Sequence, residues 1–208
     1  LEKELAVTYT KPKNQTAYYQ AHPPKCIADF LVQPTRLDNI ELDGHGSSGI
    51  YPDRLAENPN TVFAIRCQCG SSVHRIVAES EHQEIWRHEN LVIAERYFLE
   101  CGSCHVRHQC FDRFSHGYDA EASLVEGFSL KEFIEIKQSL RRNEKAMCEC
   151  VNCKGTTFEV FMRFEYPSDL FDEPLFEGRE QEFFSWFTSI GKCSTCSTIH
   201  VFIDYECA

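Results

Sequence analysis

The sequence predicts a mainly β protein of the α+β class: two duplicated β units joined by an amphipathic helix, with an irregular N-terminal segment in front. Three observations carry this. Eight of the twelve cysteines stand in four close pairs, Cys67/Cys69, Cys101/Cys104, Cys150/Cys153 and Cys193/Cys196. The late pairs match at a constant offset of 92 residues, Cys101-Gly-Ser-Cys104-His-Val-Arg-His108 against Cys193-Ser-Thr-Cys196-Ser-Thr-Ile-His200, and Asp112 falls on Asp204. Short β-prone apolar runs flank each pair, and 42% hydrophobic residues with sixteen Phe suffice for a buried core.

Residues 1–60 form the first expected segment. Pro12, Pro23, Pro24, Pro34, Pro52 and Pro59 punctuate it, and the run 43–49 is rich in Gly and Ser. It reads as irregular, packed on the core, with short extended pieces such as 27–32. The glycine run lacks a following Gly-Lys-Ser/Thr and is read as a surface loop rather than a phosphate loop. The first unit is expected over 61–128, with strands at 61–66, 73–78 and 97–100 and a second helix within 81–94. The joining helix is placed at 129–146. Ser129 and Glu132 make a capping-box pattern, Phe128 and Phe133 a hydrophobic staple, and Leu130, Phe133, Ile134, Lys137 and Leu140 keep helical spacing. Arg141, Arg142 and Lys145 would sit in its last turns, where cations favour the helix dipole. The second unit is expected over 147–208. A repeat at one offset over this length predicts a duplicated unit.

The paired spacing suits two tetrahedral sites of four thiolates, each built from one early and one late pair. Such a closed donor set leaves no position for water and is structural rather than catalytic, and the metal then supplies folding free energy that a small β unit lacks. The expected ligands are Cys67, Cys69, Cys101 and Cys104 at the first site and Cys150, Cys153, Cys193 and Cys196 at the second, holding two structural zinc ions, with iron as the alternative metal. Cys148 offers a competing partner for the second site, because Cys148-Glu-Cys150 repeats the one-residue spacer of Cys67-Gln-Cys69. Alignment of Gly155 with Gly70 favours Cys150 and Cys153. Two Cys-bearing turns separated by strands and an insertion resemble the zinc-ribbon (rubredoxin-like) class over 61–114 and 147–206. That resemblance implies metal binding, and it spans nucleic-acid-binding and protein-binding members alike. Disulfides in a secreted chain are the competing use of the cysteines. The C-x-x-C spacing and the lack of an opening apolar signal segment point instead to a reducing, cytoplasmic setting. Cys26, Cys110 and Cys207 are expected to be buried small hydrophobes.

Charge narrows the partners. Thirty-two Asp and Glu against twenty-one Lys and Arg leave a net of −11, which disfavours general binding to nucleic acid and suits a basic protein. No stretch approaches the roughly 20 apolar residues of a membrane span. Residues 165–182 interleave seven carboxylates with aromatic and leucine residues. They are read either as a cover for the second unit or as a docking surface built from Asp169, Phe171, Asp172, Glu173 and Phe176. The expected function is a non-enzymatic, zinc-stabilised protein-binding module with an acidic face, in one version an inhibitor or immunity-type protein acting on a basic partner. A nucleic-acid-associated zinc-ribbon protein is the first alternative, with a basic face from Arg107, Arg113, Arg141, Arg142 and Lys145. An enzyme with structural zinc, anchored on His45, is the second. His108 and His200 share a repeat position and are expected to be strand histidines, with a further ligand role left open. Oligomeric state is not readable from the sequence.

Overall fold

A computed structural model describes residues 11–36, 59–81, 84–88, 91–125 and 144–207. The protein is mainly β. Antiparallel pairing runs in the order β1 (Leu31–Thr35), β2 (Asn60–Arg66), β9 (Phe158–Glu165), β3 (Val73–Ser80), β6 (Arg96–Cys101) and β7 (Arg107–Asp112). Strand β10 (Trp186–Cys193) joins β9 on its other side and carries β11 (Ile199–Glu206), and β8 (Glu144–Met147) pairs with β3. A separate hairpin joins β4 (Trp86–His88) to β5 (Leu91–Ile93).

The strands at 61–66, 73–78 and 97–100 lie within β2, β3 and β6; side chains of β6 alternate between buried and half-buried, while β2 and β3 each bury three residues in a row. Pro34 sits in β1, an outermost strand, where a missing backbone donor costs no ladder bond.

Several expectations change. The helix placed within 81–94 is the β4/β5 hairpin. Most of the joining helix at 129–146 lies outside the described residues, as does its capping box, but Glu144, Lys145 and Ala146 belong to strand β8. Their environment explains it: Ala146 and Cys148 are buried while Lys145, Met147 and Glu149 are exposed, a period of two. A short helix stands elsewhere, α2 (Tyr118–Val125). The N-terminal segment contributes α1 (Gln15–Ala21), capped by Asn14, whose side chain accepts the Ala17 amide. Tyr19, Cys26, Ile27 and Phe30 of this segment are buried in the core cluster.

The boundary expected between two units is crossed by backbone pairing. Strand β2 precedes the first cysteine turn and pairs with β9. Strand β8 precedes the third cysteine turn and pairs with β3. Between these pairs β3 and β9 meet directly, Val73 opposite Glu159 and His74 opposite Phe158. Each late hairpin also breaks register once, β6/β7 after Tyr97 and β10/β11 after Ser189, which leaves Cys110 and Phe202 as the bulged residues. One aromatic core serves the whole sheet. Phe111 of β7 stacks on Phe187 of β10 with centroids 4.5 Å apart, and Phe164 meets Phe184 edge-on at 4.9 Å.

Candidate metal centres

Each cysteine pair lies in a turn between two strands, and the four turns share a backbone design. The residue after the second cysteine takes a left-handed conformation: Gly70 at φ 90°, His105 at 59°, Lys154 at 61° and Ser197 at 61°. The amide of the first cysteine closes each turn. Cys101 donates to Val106 O, Cys150 to Gly155 O and Cys193 to Thr198 O, at 2.8–2.9 Å, five residues on. Cys67 donates to Ser71 O, four residues on, because its turn is one residue shorter. In every turn the first cysteine is buried and the second is exposed at the tip.

These turns bring the sulfurs together in two groups. Cys67, Cys69, Cys101 and Cys104 form one and Cys150, Cys153, Cys193 and Cys196 the other, with all sulfurs of a group within 4.8 Å of one another. Across paired turns the sulfurs approach to 3.5 Å (Cys67–Cys104), 3.6 Å (Cys69–Cys101), 3.4 Å (Cys150–Cys196) and 3.5 Å (Cys153–Cys193). A disulfide requires about 2.0 Å, and all twelve cysteines are free. A zinc ion with sulfurs at about 2.3 Å sets a tetrahedral edge of about 3.8 Å, so both groups could hold a metal ion of that size. Cys148 stands outside the second group. It extends the β8–β3 pairing through its amide to Ile76 O, and burial pushes its thiol up to about 12.

Polar support surrounds the sulfurs. The turns of each site are laced together, Gly102 N to Val73 O at 2.8 Å and Ser194 N to Thr157 O at 3.0 Å. Backbone amides reach sulfur from Ser103 to Cys101 and from Gly155 to Cys153, each at 3.4 Å. Burial raises the Cys101 thiol, but the Cys104 and Ser103 amides outweigh it and bring it to about 6. Hydrogen bonds from Thr198 likewise bring Cys196 to about 6. Cys67 gains from the Cys69 amide, yet burial and thiol neighbours carry it to about 12. Each cluster thus sets a thiol that is pulled down beside at least one that is pushed up, and a bound cation favours four thiolates together.

The remaining expectations are placed as follows. His108 faces the N-terminal segment, with Nδ1 3.5 Å from Asp29 and its ring edge-on to Phe30. His200 is buried, with Nε2 3.1 Å from Cys150 Sγ. Cys26, Cys110 and Cys207 are buried thiols pushed upward chiefly by burial. His45, Arg141 and Arg142 lie outside the described residues. Arg107 and Lys145 both pair with Glu79, at 2.6 and 3.3 Å, and Arg113 lies over the Phe114 and Tyr205 rings.

The acidic insertion folds as three 3₁₀ turns, Leu170–Asp172, Pro174–Phe176 and Glu180–Glu182. Phe171 and Phe176, read either as a cover for the second unit or as docking anchors, are buried. Phe171 meets Tyr18 of α1 edge-on at 5.1 Å, and Phe176 packs on Phe183 at 4.1 Å. Burying both rings removes more apolar surface than an isolated loop could. Asp169, Asp172 and Glu173 are exposed, and Asp172 pairs with Lys11 at 2.7 Å. Leu175, absent from the expected surface, is 63% exposed among them. No helix among the described residues is long and apolar enough to cross a membrane. Comparison with protein families, curated proteins and solved structures finds no match to this chain.

Proposed function

We propose that the protein is a non-enzymatic binding module, held in shape by two structural zinc ions, that engages a basic protein through an acidic ridge. Cys67, Cys69, Cys101 and Cys104 would hold one ion, and Cys150, Cys153, Cys193 and Cys196 the other. Zinc there supplies charge neutralisation and cross-linking of paired turns, and four thiolates leave no vacancy for substrate. The ridge is Asp169, Asp172, Glu173 and Glu177 around Leu175. The observation that carries the reading is Leu175: a large apolar side chain, 63% exposed, in a rim of exposed carboxylates of which only Asp172 has an ion-pair partner among the described residues. An apolar centre with a charged rim is the usual anatomy of a protein-binding patch. An inhibitor or immunity-type protein that covers the cationic site of a toxin is one version of this role.

We also read the chain as a duplication. The offset of 92, the bulges at Cys110 and Phe202, the four like turns and the reciprocal pairing of β2 with β9 and β8 with β3 support it. The halves then exchange their first strands about a pseudo-two-fold axis through the β3–β9 contact.

Native mass spectrometry without added metal tests the centres, with two zinc ions per chain expected and structure lost on chelation. Quantitative affinity capture tests the ridge. Wild type should retain a basic protein that the Asp169→Lys/Asp172→Lys/Glu173→Lys variant and the Leu175→Ser variant both lose. An unchanged set of captured proteins would sink the docking reading and leave the metal reading standing.

A further inference from the structure

The two sulfur groups differ in what surrounds them. At the second, side chains reach two of the four sulfurs. Thr198 Oγ1 lies 3.2 Å from Cys196 Sγ and accepts the Asn152 side-chain amide at 2.8 Å, so its own proton is available to the sulfur. His200 Nε2 lies 3.1 Å from Cys150 Sγ, its ring held by Phe158 and Phe202 at centroid distances of 6.4 and 5.5 Å. At the first group no side-chain donor reaches a sulfur among the described residues. The position of Thr198 is taken by Val106, which is 46% exposed and cannot donate from its side chain. The position of His200 is taken by His108, turned toward Asp29 and Phe30. The turn of Cys67 and Cys69 is one residue shorter and has no counterpart of Asn152.

Resting on the two-zinc reading, we infer that the sites are unequal: the first is the labile, exchanging zinc site, and the second is the anchor, protected by Thr198, Asn152 and His200. A hydrogen bond to a metal-bound thiolate stabilises its charge against protonation, the step that frees it from the metal, and holds the sulfur in place. Partners of this kind tune metal affinity by roughly 10–100-fold when removed. The first site would then be where a competing chelator, or a zinc-accepting protein, draws metal from the chain, while the second keeps its ion.

The test is the rate of zinc transfer from the fully loaded chain to excess EDTA, read with a colorimetric zinc indicator. Two phases of equal amplitude are expected. Thr198→Val and His200→Phe should each accelerate the slow phase roughly tenfold or more and leave the fast phase unchanged. Val106→Thr, at an exposed position, should slow the fast phase. Because His200 is buried and its replacement could disturb folding, Asn152→Ala at the exposed turn tip serves as the second variant and should move the slow phase in the same direction as Thr198→Val. Release in one phase, or a slow phase untouched by both Thr198→Val and Asn152→Ala, would overturn the inference while two bound ions still upheld the centres. Fewer than two ions per loaded chain would overturn both.

Discussion

Gly191 and Phe202 act as one packing unit. A Cβ on Gly191 would come within 2.7 Å of the Phe202 ring, closer than a Cβ contact can be. At the offset of 92 the same two positions hold Leu99 and Cys110, both buried. A large strand residue beside a small bulged one in the first hairpin becomes a glycine beside a large bulged one in the second. Gly191→Ala should therefore destabilise the fold by about 1–3 kcal/mol through overpacking. The replacement Gly191→Leu with Phe202→Cys, which transplants the Leu99/Cys110 arrangement, should cost much less than the sum of its single substitutions. Chemical denaturation of the four proteins measures both, and additivity would show that the positions do not share a space. The eight clustered cysteines were legible in the sequence because pair spacing encodes turn geometry directly. Phe171 and Phe176 were not: composition gives an aromatic residue among carboxylates no inside or outside, and only the presence of Tyr18 and Phe183 decides it. Leu175 was passed over for the same reason.

Among elements, the cysteine turns show how one missing residue is absorbed. His105, Lys154 and Ser197 sit at φ 59–61°, inside the left-handed well that side chains tolerate, whereas the shorter first turn drives Gly70 to φ 90°. Nothing lies within 4 Å of a Cβ at Gly70, so its requirement is conformational, not steric crowding as at Gly191. Gly70→Ala should cost about 1 kcal/mol or more of stability and weaken metal binding at the first site only, read as an earlier unfolding midpoint and a faster EDTA-labile phase. Gly70→Asn should recover part of the loss, since Asn enters left-handed backbone more readily. Strands β2, β3 and β6 were legible because short β-prone apolar runs beside the cysteine pairs mark them. The final residues of the expected joining helix were not, because Arg141, Arg142 and Lys145 look like a helix end until Lys145 is seen paired with Glu79 across β3. Likewise 81–94 carries no turn dipeptide that announces the β4/β5 hairpin.

Across the whole molecule, strand pairing joins what the sequence divides at 128 and 147. Linear reading assigns β2 to the first unit and β8 to the second, since each precedes its own cysteine turn. Pairing partners distant in sequence leave no local mark, so the reciprocal β2–β9 and β8–β3 ladders could not be foreseen. They have a thermodynamic consequence. Loss of a metal ion bound at the first site would loosen the turn that carries β2 into β3, and with it a ladder of β9, the strand that leaves the third cysteine turn. The chain should thus unfold as one cooperative unit even when only one centre is damaged. Its two tryptophans allow a direct comparison, because Trp86 lies in β4, within the stretch of sequence between the first centre's two cysteine pairs, and Trp186 opens β10, the strand that leads into the last pair. With Cys104→Ser in place, Trp86→Phe and Trp186→Phe variants each leave a single fluorescent reporter. Each should show its urea midpoint lowered relative to the same single-tryptophan protein with Cys104 intact, and by the same amount at both reporters. A Trp186 transition that stays put while the Trp86 transition falls would mean that the halves are energetically separate despite their shared ladders.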